Sequence, residues 1–245
     1  SKTNSGKTEH CGRTQIHQRL SGAGVSAGIV MGQALLVGSK VPPVPESELD
    51  EAEVEREMSR FEAALDVSRR QLQTLRNQVA DRIGEDDAAI FDAHLMLVGD
   101  QKLVRDVREG IRREQKNAEY VFKGVMDSYA NALRDVSDEY IRDRLTDIQD
   151  VGARVIQNLL GRQNPDLSSL PGPRILVAED LSPSDTATMD RRNVLGFVTS
   201  IGSRTSHTTI MARAFGIPAV VGKGNATQKM HTWDIHVIGQ MGRMI

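Results

Sequence analysis

One short stretch of this sequence gathers the side chains that can do covalent chemistry: Gly202-Ser203-Arg204-Thr205-Ser206-His207-Thr208-Thr209-Ile210-Met211-Ala212-Arg213. It reads as a flexible loop, a hydroxyl cap at Ser206 and a histidine in the first turn of a helix. A helix start offers unpaired N–H donors and a partial positive charge, which together seat an anion. Thr205, Ser206 and Thr208 add hydroxyl donors, and Arg204 adds a planar fork suited to phosphate oxygens. The same field disfavours imidazolium, so His207 tends towards its neutral, nucleophilic form. A phosphohistidine intermediate needs such a ring: one nitrogen attacks phosphorus while a partner on the other fixes the tautomer. Taken alone, the pattern also fits a helix-capping histidine with incidental hydroxyls. A metal site is weaker, because neither His231 nor His236 nor any carboxylate stands at i, i+4 ligand spacing from His207.

The elements around this loop alternate. Ile175–Ala178 is a short buried strand, and Ser182-Pro183-Ser184-Asp185 is a helix start with proline in its first turn. Val194–Thr199 is a second strand, followed by the loop, a helix to about Phe215 and a stop at Gly216. Pro218–Gly222 is a third strand, and residues 234–245 form a hairpin. Far upstream, Leu20–Gly38 is glycine-rich and reads as a loop leading into a strand near Val30–Val37. Its Gly22, Gly24 and Gly28 do not make a dinucleotide fingerprint, because the strand follows the glycines instead of preceding them. A lone strand has no place in a bundle, so this one is expected to join the sheet.

Between these pieces the character of the chain changes. After the stiff Val41-Pro42-Pro43-Val44-Pro45, residues 46–160 contain no proline and are dominated by helix formers. Val54, Met58, Phe61, Leu65, Ser68, Leu72, Leu75 and Val79 recur at steps of three and four, the seam of a long amphipathic helix. Four more helices follow, broken near Gly84, at Gly99-Asp100 and near the Ser137-Asp138 cap region, and ending at Gly161. The acidic run Glu46–Glu57 reads as a solvated helix face. The fold class expected is α/β plus all-α: a discontinuous α/β domain, 20–44 and 161–245, with a helical bundle, 45–160, inserted in it. Residues 1–19 read as a tail or linker.

Composition narrows the function. Lys plus Arg number 31 and Asp plus Glu 33, a net charge of −2, which argues against a nucleic-acid partner. The single cysteine, Cys11, excludes an internal disulfide or a multi-cysteine metal site and suits a reducing, cytoplasmic setting. No apolar run approaches the roughly 18 residues of a membrane span, and no signal peptide is visible.

The segment Gly202–Arg213, followed by Gly216-Ile217-Pro218-Ala219-Val220-Val221-Gly222, resembles the phosphohistidine signature of the phosphoenolpyruvate-utilising enzymes. Three further segments make the chain similar to the N-terminal half of the enzyme I branch of that family: Gly24–Ile29, Ala89–Leu97, and Asp138–Arg144 with Asp147-Ile148. The resemblance covers about residues 20–245.

It implies a swivelling phosphohistidine domain in which His207 carries the phosphoryl group on Nε2. Thr186 would orient the ring through Nδ1, and Arg204 would help hold the phosphoryl group. The group would pass to the histidine phosphocarrier HPr, docked on the helical insertion at positions including Glu85, Met96, Asp100 and Arg144. HPr presents a basic, apolar-centred patch, which acidic residues would steer. His94 reads as a partly buried bundle histidine, with an interface role as the alternative the resemblance suggests. No cofactor is implied within this stretch. The phosphoenolpyruvate-binding, dimerising barrel of the family and its Mg2+ would belong to a C-terminal domain beyond residue 245, so a monomer that exchanges phosphate with HPr is expected of the chain alone. The sequence departs from the family pattern at Ser203, at Asp87 (where some members place a lysine) and at Ile238. The alternatives are a swivelling domain of a dikinase-like enzyme and a non-catalytic docking adaptor.

Overall fold

A computed structural model describes residues 20–37, 43–134, 139–162, 167, 170, 172–202, 207–222, 224, 226–229, 235–239 and 243–244. The 1–19 tail, Cys11, Ser137, Asp138, Arg204 and Ser206 lie outside them. No described helix is long and apolar enough to cross a membrane.

The three-and-four periodicity becomes five helices: α1 (Val54–Arg82), α2 (Glu85–Val98), α3 (Gln101–Glu114), α4 (Ala118–Arg134) and α5 (Glu139–Leu159). Every residue of the seam from Val54 to Val79 is buried. Gly84 separates α1 from α2 with φ of 146°, a conformation a side chain would strain. Asp100 caps α3, its side chain accepting from the Leu103 N–H at 2.8 Å. Phe61 and Phe122 meet in the bundle core with ring centroids 5.7 Å apart.

The acidic run is not a uniform solvated face. Residues 46–50 are not helical; Asn117 hydrogen-bonds both Ser47 N–H and the Pro45 carbonyl, clamping them over the turn between α3 and α4. Glu57 turns inward, taking two bonds from Arg60 and one from the Ala118 N–H at 2.6 Å. Arg60 also binds Glu119 and donates to the Leu159 carbonyl, tying α1 to α4 and to the open C-terminal end of α5.

The remaining segments build one sheet. Its strands are β1 (Leu20–Ser21), β2 (Ala23–Ser26), β3 (Val30–Leu36), β4 (Arg174–Ala178), β5 (Val194–Thr199), β6 (Ala219–Val221), β7 (Ile235–Gly239) and β8 (Arg243–Met244). The order is β1-β8-β7-β3-β4-β5-β6-β2, with β3, β4, β5 and β6 parallel in sequence. The strand near residue 30 is central, and the whole bundle is the crossover that links it to β4. Residues 23–26, expected to be loop, form β2 by antiparallel pairing with β6. Small residues carry little strand propensity of their own; the free edge of β6 supplies the hydrogen bonds.

The strand order has a geometric consequence. β1 and β2 occupy opposite edges, yet only Gly22 lies between Ser21 and Ala23. Two residues span at most about 7 Å, so the sheet rolls until its edges adjoin. Three more helices occur among the described residues: α6 (Pro183–Thr188) after β4, α7 (His207–Phe215) after β5, and α8 (Ala226–Lys229) before β7. Ala187 of α6 is buried with the core residues of the bundle.

Candidate functional site

In a parallel sheet the helices start at the carboxyl ends of the strands, where ligand sites collect. Here α6 and α7 start side by side at the ends of β4 and β5. Two backbone bonds pin the strand exits together: Ser200 N–H to Ala178 O at 3.0 Å and Ile201 N–H to Glu179 O at 2.9 Å. A third tie joins the helices, since the buried Thr208 hydroxyl donates to the Leu181 carbonyl at 2.7 Å. The residue after His207 is thus fastened to the residue before the cap of α6.

Ser182 caps α6 reciprocally with Asp185, and Pro183 supplies a pre-set φ. Thr186, 1% exposed, sits in the middle of this short helix. Its Oγ1 donates back to the carbonyls of Pro183 at 2.9 Å and Ser182 at 3.2 Å. A hydroxyl has one proton, so the oxygen is left as an acceptor for any third group.

A cleft of about 630 Å³ opens at this edge. Met126 and Asp127 of α4 and Asp150 of α5 form one wall; Asp180, Ser182 and Ile201 form the other. Ile201, half exposed, lies just before the loop that leads to His207.

His207 is the first residue of α7, as the cap pattern requires, although its side chain lies outside the described residues. Arg204 and the side chain of Arg144, a residue of α5, lie outside them too. The exposed face of α2 carries Glu85, Ala89, Asp92 and Met96 at helical spacing, Met96 being 77% exposed. Arg76 of α1 pairs with Glu85 at 2.6 Å and with Asp92 at 3.3 Å. These carboxylates hold the Arg76 guanidinium above its ordinary range, the bond it donates to Glu85 being the larger cause. Asp100 is exposed, but its carboxylate is engaged as the cap of α3.

His94 departs from expectation. It is 1% exposed on the inner face of α2, so it is neither partly buried nor available to a docked partner. The Ala88, Phe91, His94, Val98 spacing on the buried face already places it there. What the sequence reading missed is Asp150, which reaches across to α6; nothing in its local pattern sets it apart from other helical carboxylates.

Two family models match the chain. Residues 21–144 match "PEP-utilising enzyme, N-terminal" and residues 170–240 match "PEP-utilising enzyme, mobile domain". The chain belongs to the phosphoenolpyruvate-utilising enzymes. Among curated proteins it is similar to the phosphoenolpyruvate-protein phosphotransferase of Listeria innocua, 41% identical over 229 residues, 93% of this chain and 40% of that protein. With the Bacillus subtilis protein of the same name it shares 40% identity over 210 residues, 86% of this chain and 36% of that one. A solution structure of an Enzyme I protein (nEIt) superposes with a TM-score of 0.73 at 39% identity, covering 92% of each chain. A solved structure described as "N-terminal domain of Enzyme 1 - Nitrogen" shares the fold, with a TM-score of 0.61 at 22% identity over 92% of each chain. The chain thus spans about 40% of the length of the curated relatives it matches, at the N-terminal portion of enzyme I.

Proposed function

We propose that this chain carries a phosphoryl group on Nε2 of His207 and passes it to the histidine phosphocarrier HPr within the phosphotransferase system. In the longer enzyme the group originates from phosphoenolpyruvate, which makes the parent protein a phosphoenolpyruvate-protein phosphotransferase. In the transfer the P–Nε2 bond to His207 breaks as a P–N bond forms at the carrier's histidine ring.

The observation that carries this reading is Thr186. Its one hydroxyl proton is spent on the Ser182 and Pro183 carbonyls. Set against the His207 ring with that proton kept on the carbonyls, its oxygen accepts, which favours Nδ1 as the protonated nitrogen. That tautomer leaves the Nε2 lone pair free to attack phosphorus. Arg204, three residues before His207 in the sequence, supports the reading as a planar cation of the kind that suits phosphoryl oxygens. The α2 face supports the partner: an acidic stripe ending in an exposed methionine suits a basic surface with an apolar centre.

The test is to mix the chain with phosphorylated HPr and follow the label. One phosphoryl group is expected on the wild type, acid-labile and base-stable as a phosphoramidate is, and none on His207→Ala. Phosphate acceptance by His207→Ala overturns the proposal.

A further inference from the structure

A buried polar cluster lies where the helical bundle meets α6, and the transfer described above makes no use of it. Asp150 of α5 is 5% exposed. Its Oδ2 accepts from the Ser184 Oγ at 2.6 Å and from the Ser184 backbone N–H at 3.3 Å. Ser184, 7% exposed, is the second residue of α6 and stands two positions before Thr186. A carboxylate from the bundle therefore grips the first turn of a helix that belongs to the sheet.

Other polar groups lie around that carboxylate. His94 of α2 sets Nδ1 3.9 Å from Asp150 Oδ2 and Nε2 3.4 Å from Asp147 Oδ1, and neither ring nitrogen has a hydrogen-bond partner among the described residues. The Arg154 guanidinium, one turn along α5, is desolvated by burial, which pushes it down, while the charges of Asp150 and Asp185 oppose that shift.

A buried carboxylate is an unfavourable way to join two parts of a protein, since its desolvation is a cost that apolar packing avoids. What it supplies instead is direction: two hydrogen bonds to one residue fix the height and the rotation of a turn. α6 has only six residues, and the Thr186 hydroxyl is bonded to carbonyls of that same turn. A shift of the turn is a shift of the hydroxyl.

We infer that Asp150 is a positioning residue for phosphoryl transfer: by holding Ser184 it sets the place of the Thr186 hydroxyl against Nδ1 of His207. The inference rests on the reading that Thr186 orients that ring.

The experiment uses the whole chain with 15N-labelled histidine. It reads the His207 ring tautomer by NMR and the exchange of phosphate with phosphorylated HPr. Asp150→Ala and Ser184→Ala are each expected to lower the share of the Nδ1–H tautomer and to slow kcat about tenfold, with KM for HPr unchanged. The double variant is expected to be no slower than the worse single one, since both remove the same contact. Loss of stability alone leaves the tautomer unmoved well below the unfolding temperature, and Ser184→Ala changes no charge. The inference is overturned if Thr186→Val shifts the tautomer while neither Asp150→Ala nor Ser184→Ala does, or if the two single effects add. If Thr186→Val itself leaves the tautomer unchanged, the role of Thr186 fails and the role of Asp150 fails with it.

Discussion

Two side chains show how differently a buried polar atom can be used. Thr186 spends its proton locally and keeps an oxygen free to accept. Thr186→Val keeps the shape and removes that oxygen. We expect its phosphoryl exchange with HPr to fall about tenfold at unchanged unfolding temperature, measured by rapid-quench transfer. Glu57 is the opposite case, a carboxylate fully engaged by its neighbours. Burial pushes its carboxyl up, but the bonds from Arg60 and the Ala118 N–H outweigh this and hold it below the ordinary range. A lowered carboxyl pKa stabilises the fold above its ordinary value, and that contribution is lost as pH falls through the lowered one. Glu57→Gln is therefore expected to cost about 1–3 kcal/mol at neutral pH. The gap from wild type should close in acid, and urea unfolding at pH 7 and pH 3 measures it.

At the scale of an element, α2 divides its labour between two faces. Its inner side, with Ala88, Phe91, His94 and Val98, belongs to the core, while Glu85, Asp92 and Met96 point outward. The proposed docking of HPr uses the outer side alone. Met96→Ala should raise KM for HPr about tenfold and leave kcat alone, because it removes apolar contact without touching the reacting atoms. Equal loss in kcat would place Met96 in the chemistry and contradict the division of faces.

For the whole molecule, the joint matters more than either part. α6 follows a strand of the sheet, yet Ala187 packs in the core of the bundle. Ala187→Asp places an unpaired charge in that joint, with an expected cost of about 3 kcal/mol. Hydrogen-exchange protection in α1 and in β4 should then fall together; loss confined to one of them would show that the two cores are stable independently.

Much of this arrangement was legible along the chain. The Val54–Val79 seam, the breaks at Gly84 and Gly99, the proline-led start of α6 and the strand at Val194–Thr199 all rest on periodicity and on residues that stop or start an element. Such signals act over a few residues. The pairing of β2 with β6, the rolled sheet and the grip of Asp150 on Ser184 were not legible in this way. Each depends on residues far apart in the chain meeting in space, and a carboxylate or a small-residue segment carries no local mark of the group it will meet. Chain-local physics sets which elements exist and puts His207 at the start of α7; packing at long range sets which helices start beside it and what holds the first turn of α6.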